Sequence, residues 1–208
     1  MRAPADRLVS ELRGKISDPR VLSAVRAVPR DRFVPEDLRD EAWENIPLPI
    51  GCGQTISQPL VVARMCELLE LDGSERVLDV GTGSGYHAAL LARLAAEVYS
   101  IELHAELSER AARALAAVGA QVTLAVGDGC RGLPEHQPYD AINVAAAARG
   151  GVPEALARQL APGGRLVAPV EGEDGEQHLA LLREHGGELR TTRLERVRFV
   201  PLVASGPG

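Results

Sequence analysis

The chain has 208 residues, 45% of them hydrophobic and only 3% aromatic, with a formal net charge of −6. That length suits one domain with a core of Leu, Val and Ala; the acidic balance, with no Lys/Arg run beyond a dipeptide, argues against a nucleic-acid partner, and no apolar run approaches the roughly 20 residues of a membrane span. Cys52, Cys66 and Cys130 include no C-x-x-C pair, which argues against a disulfide framework or structural zinc; with an N-terminus rich in charge rather than a secretory leader, a soluble, cytoplasmic protein is expected.

Apolar positions three and four apart predict short amphipathic helices over 5–13 and 19–27. Gly14 closes the first; Asp18 is placed to cap the second, with Pro19 at its first helical position. Residues 28–59, punctuated by Pro29, Pro35, Pro47, Pro49 and Pro59, read as a long irregular segment of the kind that is usually functional. A helix over 60–69 follows. From residue 75 strands and helices alternate, with strands at 76–80, 97–101, 121–125, 139–144, 164–170, 178–183 and 192–200 and helices at 85–95, 104–117 and 152–160. Nearly continuous apolar strands indicate a parallel sheet covered on both faces, hence a doubly wound α/β fold. The polar turn Glu171-Gly172-Glu173-Asp174-Gly175-Glu176 has a strand on each side and predicts a C-terminal antiparallel hairpin; its acidic run reads as a solvated loop rather than a metal site. The five histidines, His87, His104, His136, His178 and His185, show no ligand spacing and read as surface or loop residues.

The chemistry concentrates after the first strand of the alternating region. Val77-Leu78-Asp79-Val80 leads into Gly81-Thr82-Gly83-Ser84-Gly85, a strand–turn–helix in which glycines at alternate positions let the backbone approach a nucleotide-like ligand. The spacing differs from the Gly-x-Gly-x-x-Gly of dinucleotide binders. Glu102, at the end of the next strand, is placed to accept ribose hydroxyl protons. After the third strand come Gly127-Asp128-Gly129, where Asp128 could accept from an adenine amine. These features sit at the carboxyl ends of neighbouring strands, where open α/β sheets bind ligands, and favour S-adenosylmethionine (SAM) over a dinucleotide. The candidate cofactor-binding residues are Asp79, Gly81, Thr82, Gly83, Ser84, Gly85, Glu102, Asp128 and Gly129.

Almost the whole chain resembles the protein-L-isoaspartate (D-aspartate) O-methyltransferases. The resemblance rests on Ile16-Ser17-Asp18-Pro19-Arg20-Val21-Leu22, Val28-Pro29-Arg30-Asp31-Arg32-Phe33-Val34-Pro35, Ala42-Trp43-Glu44-Asn45, Leu48 to Pro59 with its Gly53-Gln54-Thr55-Ile56-Ser57-Gln58-Pro59 core, and Val197-Arg198-Phe199-Val200-Pro201-Leu202. It implies a class I SAM-dependent methyltransferase: a Rossmann-like, mostly parallel sheet in a single domain, with N-terminal helices and a substrate loop over 1–59 and the SAM-binding core over 60–208. The implied reaction methylates the free carboxylate of L-isoaspartyl, and also of D-aspartyl, residues in damaged proteins and peptides, initiating repair through a succinimide. The implied enzyme is a monomer without a metal, whose Ser57 orients the substrate carboxylate, flanked by Thr55, Ile56 and Gln58.

The chemistry explains why no acid–base pair stands out. A carboxylate with an ordinary pKa near 4 is ionised at neutral pH, and a sulfonium is an activated leaving group. Ser57 has an alternative reading as the cap of the following helix, and Trp43 reads as a packing anchor. Cys52 lacks a partner for nucleophilic catalysis. One departure from the family pattern is Ile142-Asn143-Val144-Ala145-Ala146, where Ala145 replaces the usual threonine, Asn143 is unusual, and Arg149 adds a charge nearby. Rival readings are a methyltransferase of one dedicated precursor peptide and a non-catalytic SAM-binding module.

Overall fold

In the computed structural model, which describes residues 3–204, two proline-led helices open the chain. Helix α1 (Pro4–Leu12) buries Leu8, Val9 and Leu12, and α2 (Pro19–Ala27) buries Val21, Ala24 and Val25. The Asp18 carboxylate accepts the Arg20 N–H at 2.8 Å, which satisfies one of the open donors of the first turn of α2.

The proline-rich stretch is more regular than its sequence suggests. Two short 3-10 turns (Arg30–Phe33 and Glu36–Glu41) precede a hairpin of β1 (Leu48–Gly51) and β2 (Gln54–Ile56). Leu48 and Ile50 are buried while Pro49 and Gly51 are exposed, so the period of two was present but masked by the proline. Cys52 and Gly53 make the loop, both at positive φ (52° and 70°), as tight hairpin turns require. Helix α3 (Pro59–Leu68) follows. Its open Leu60 N–H is accepted by Asn45 Oδ1 at 3.0 Å, so the capping contact comes from the Trp43–Asn45 loop rather than from Ser57.

The α/β core then runs β3 (Arg76–Val80), α4 (Tyr86–Leu91), β4 (Glu97–Glu102), α5 (Ala105–Ala117), β5 (Thr123–Val126), β6 (Tyr139–Val144), β7 (Ala148–Arg149), α6 (Glu154–Ala157), β8 (Leu160–Glu171), β9 (Gln177–His185) and β10 (Glu188–Arg196). The sheet order is β10-β9-β8-β6-β3-β4-β5, with β7 pairing the end of β8. Strands β3, β4, β5, β6 and β8 are parallel; β9 and β10 fold back antiparallel, as the polar turn predicted. The last strand lies at 188–196 rather than 192–200. Residues 197–200 leave the sheet instead, and Val197 N–H reaches the Gln177 carbonyl at 2.9 Å. The helix expected over 152–160 is confined to Glu154–Ala157, because β8 begins at Leu160, opposite Tyr139.

Alternation along the central strands divides the core. Val77, Ala141, Val167 and Leu181 pack with α1 to α5, while Leu78, Ile142, Leu166 and Leu182 pack with Leu133, Leu156 and Leu160 on the other face. Because the chain steps from β3 to β4 and β5 and returns to β6 on β3's other side, a crevice opens at the carboxyl ends of these strands.

Candidate active site

A pocket occupies that crevice. Its walls come from the turn after β3 (Gly81 to Ser84), the ends of β4 (Glu102 to His104) and β6 (Ala145, Ala146), Gly129 after β5, and Gln54 to Ser57 from the N-terminal hairpin. The remaining side is the extended segment Val200 to Val203. That segment crosses from the distant edge of the sheet: Ala147 N–H donates to the Val200 carbonyl and Leu202 N–H to the Ala147 carbonyl, each at 2.8 Å. Farther back, the Gln177 side chain clamps Phe199, accepting its N–H at 2.7 Å and donating to its carbonyl at 3.2 Å.

Gly81, Gly83 and Gly85 all have positive φ (92°, 53° and 89°), which gives the turn its shape. Gly81 and Gly83 face the pocket. Gly85 instead lets α4 pack on α5: a Cβ there would lie 3.2 Å from Ala111 Cβ. Gly129 is constrained by packing too, since a Cβ would meet Val80 Cγ1 at 2.7 Å. Glu102 is buried, and its two carboxylate oxygens accept the Gly83 N–H (2.8 Å) and the His104 N–H (3.0 Å). These bonds lock the turn to β4 and leave further lone pairs for ligand hydroxyls. Ser84 Oγ accepts the Tyr86 N–H at 3.3 Å.

Asp79 lies beneath the pocket rather than in its wall, with no exposed surface. It is in register with Ser100 on β4 and Asn143 on β6. Ser100 Oγ donates to Asp79 Oδ2 (2.8 Å) and Asn143 Nδ2 to Oδ1 (2.7 Å), while Thr82 Oγ1 pairs with Ser100 Oγ at 2.6 Å. Burial pushes the Asp79 carboxyl up to about 6 against the opposing pull of these donors. Its place is to hold three strands and the glycine turn together. Asp128 likewise is not in the wall; its carboxylate accepts the Cys130 N–H at 2.9 Å and shapes the turn that presents Gly129.

Thr55, Ile56 and Ser57 line the pocket, and Gln58 lies in an adjoining groove formed with Pro47, Val61 and Arg196 to Val200. Thr55, Ser57, Ala145 and Val200 border both spaces, so Ser57 stands where pocket and groove meet. Ala145 is therefore at the junction, as its sequence position suggested. Arg149 is not: it is exposed on β7 and paired with Glu171 at 2.9 Å. Cys52 is exposed at the hairpin tip, outside the wall, and Trp43 packs on the core.

The roles of His87 and Arg30, and the partners of Asn143, were not legible in the sequence. His87 is a correction: it is only 7% exposed and forms part of the pocket wall instead of lying in a surface loop. Asn143 Nδ2 lies 3.2 Å from His87 Nδ1. Arg30 is completely buried, and among the described residues it has no carboxylate partner. Its guanidinium donates to the carbonyls of Ala42, Glu44, Ile46 and Ser57 and sits 5.8 Å from the Tyr86 ring centroid. The signal available for His87 and Asn143 was a polar residue in an apolar run, and Arg30, beside Asp31 and Arg32, gave none; the partners of all three lie too far along the chain for spacing to reveal.

The residues present suit SAM: a turn whose glycines leave its backbone open, a buried carboxylate beside it, and walls both polar and apolar. Fold and pocket together define a class I SAM-dependent methyltransferase. Residues 4–206 match the protein-L-isoaspartate(D-aspartate) O-methyltransferase family, and the chain belongs to it. A protein-L-isoaspartate O-methyltransferase of Halorhodospira halophila is 54% identical over 201 residues, covering 95% of this chain and 90% of that protein. One of Roseiflexus sp. is 51% identical over 203 residues, covering 97% and 91%. A solved protein-L-isoaspartate O-methyltransferase superposes with a TM-score of 0.86 at 30% identity, covering 97% of this chain and 66% of that one. A Plasmodium falciparum structure, described as a protein-L-isoaspartate O-methyltransferase in complex with S-adenosyl-L-homocysteine, gives 0.84 at 26% identity, covering 98% and 100%.

Proposed function

We propose that this enzyme transfers the methyl group of SAM to the free carboxylate of L-isoaspartyl, and of D-aspartyl, residues in damaged proteins and peptides. The observation that carries this reading is the position of Ser57 and Thr55 on the border between cofactor pocket and open groove. A polypeptide lying in the groove, against Gln58 and Arg196 to Val200, can extend a carboxylate past Ser57 without entering the cofactor pocket itself.

SAM supplies a methyl group on a sulfonium, a leaving group that needs no protonation. The acceptor is an ionised carboxylate at neutral pH and needs no general base. The protein's task is therefore placement: Gly81, Thr82, Gly83, Ser84, Gly129 and Glu102 hold the cofactor, with Asp79, Gly85 and Asp128 supporting them. Thr55, Ile56 and Gln58 bound the acceptor, whose oxygen Ser57 orients. Placement of this kind supplies roughly 7–11 kcal/mol of barrier reduction in favourable cases. Methylation makes the carboxyl a better acyl electrophile; off the enzyme the neighbouring backbone nitrogen attacks it, the ester C–O bond breaks, and methoxide leaves with the N–H proton as methanol to give a succinimide.

The same reading treats residues 1–59 as the substrate-facing part and 60–208 as the SAM-binding part of one domain, in a cytoplasmic monomer without a nucleic-acid or membrane partner. Three free cysteines support a reducing compartment. Among the described residues no helix is long and apolar enough to cross a membrane.

The test uses matched isoaspartyl and aspartyl peptides with methyl-labelled SAM, and measures base-labile methanol. Label is expected with the isoaspartyl peptide only, and Ser57→Ala should lower that turnover about 100-fold, the lower end for loss of one orienting donor, with cofactor affinity kept. Equal labelling of the two peptides sinks the repair reading; a parallel loss of cofactor binding in Ser57→Ala sinks the orienting role.

A further inference from the structure

The mechanism above leaves one buried nitrogen in the pocket wall unexplained. His87, in the first turn of α4, has its Nε2 shielded from solvent and without a hydrogen-bond partner among the described residues. Leaving a buried polar group unsatisfied forfeits its hydration with nothing in return. The residue is nevertheless part of the pocket wall, where a ligand group could supply what the protein does not.

The other ring nitrogen determines what Nε2 offers. Asn143 Nδ2 carries two hydrogens; one goes to Asp79 Oδ1 at 2.7 Å, and the second points to His87 Nδ1 at 3.2 Å. An ionised Asp79 keeps the amide nitrogen, not the amide oxygen, turned toward it. His87 Nδ1 is then an acceptor, which puts the ring proton on Nε2. Burial also holds the imidazole down to about 3, so the ring is neutral at physiological pH. A neutral donor serves a site that must also admit a sulfonium, which an imidazolium would repel.

Position selects the ligand group. Glu102 marks the ribose at the end of β4, and Gly129 lies beyond it after β5. His87 is anchored through Asn143 to β6, on the opposite side of β3. Two strand spacings separate β4 from β6, roughly 10 Å, on the order of the span from ribose to amino-acid end in an extended SAM. The group at that end able to accept a hydrogen bond is the α-carboxylate.

We propose that His87 is a cofactor-binding residue whose Nε2–H donates to the α-carboxylate of SAM, with Asn143 as the positioning residue that sets its tautomer. This deepens the SAM site and is independent of which polypeptide carboxylate is methylated.

The test compares S-adenosylhomocysteine, which keeps the amino-acid group, with 5′-methylthioadenosine, which lacks it, by titration calorimetry. His87→Phe should weaken S-adenosylhomocysteine about 10- to 100-fold, the range for a hydrogen bond to a charged group, and leave methylthioadenosine within about twofold. Equal weakening of both ligands, or none for S-adenosylhomocysteine, overturns the assignment. Nitrogen-15 NMR of the unmodified protein gives an answer even where the variant does not fold. His87 should show a protonated Nε2 whose proton resonance moves downfield with S-adenosylhomocysteine and not with methylthioadenosine. A protonated Nδ1, or the same response to both ligands, would refute it. Because neither measurement uses a peptide, failure here and failure of the isoaspartyl reading remain distinct.

Discussion

Asp79 and His87 share one amide, that of Asn143, yet their protonation acts on stability in opposite directions. Asp79 is held up at about 6 by burial, against an ordinary 3.8. The folded protein therefore binds that proton more tightly than the unfolded chain does. The stability linked to Asp79 is highest below pH 4, declines as pH rises through 4 to 6, and is lowest above 6. His87, held down to about 3 from 6.5, does the reverse: its contribution is full above 6.5 and is lost as pH falls toward 3. Asp79→Asn removes one of the two dependences. Between pH 4.5 and 7.5 the variant should gain about 2 kcal/mol relative to the parent, measured as the change in the difference between their urea-unfolding free energies. A difference that stays constant with pH would show that Asp79 ionises normally. The glycines, Asp79 and Glu102 were legible because a strand–turn–helix is a local pattern. Their division of labour was not. That Asp79 serves the strands and Gly85 the α4–α5 contact depends on register and packing, which only the folded chain displays.

Buried Arg30 helps position the N-terminal hairpin, together with Arg110, which donates to the Ile50 carbonyl of β1 at 2.8 Å. Arg30 gathers the carbonyls of Ala42, Glu44 and Ile46 from one loop and that of Ser57 from the end of the hairpin. Burial lowers it to about 10, leaving it charged at neutral pH, with the Tyr86 face as a further partner. Lysine cannot replace it, because an ammonium lacks the planar fork that reaches several carbonyls at once. Arg30→Lys should lower the melting temperature and raise the peptide KM at least about tenfold, while S-adenosylhomocysteine affinity changes far less. About 1–3 kcal/mol for each carbonyl left open sets the direction. Thermal melts with steady-state kinetics check this, and equal losses of peptide and cofactor affinity would assign Arg30 to general stability. The motif around Ser57 was legible in the sequence, whereas the hairpin within 28–59 was not. The prolines hid the alternation of Leu48 and Ile50, and carbonyl-to-guanidinium bonds have no signature in spacing.

The sheet as a whole connects two distant places: its antiparallel edge and the cofactor pocket. After β10 the chain recrosses the ends of β9, β8 and β6, and Val200 to Val203 become pocket wall. Gln177, at the start of β9, holds this crossing at Phe199 through two hydrogen bonds. Gln177→Ala should weaken S-adenosylhomocysteine binding several-fold and leave the far-ultraviolet circular dichroism unchanged, since the bonds lie outside the strand ladders. Unchanged affinity would mean that the contacts at Ala147 suffice. Strand–helix alternation predicted the doubly wound core and its closing hairpin correctly. It misplaced the last strand by four residues at each end, because Val197, Phe199 and Val200 are apolar for the sake of the crossing.

That crossing also sets an order of events during synthesis. Every other part of the pocket wall, from Gln54 to Ala146, leaves the ribosome before Val200 to Val203. A nascent chain can already pair β3, β4, β5 and β6 around Asp79, but it has no far wall against which to hold a ligand. The methyl donor is thus captured only after the edge strands have emerged and turned back. Tight SAM binding is therefore the mark of a chain that has completed this crossing.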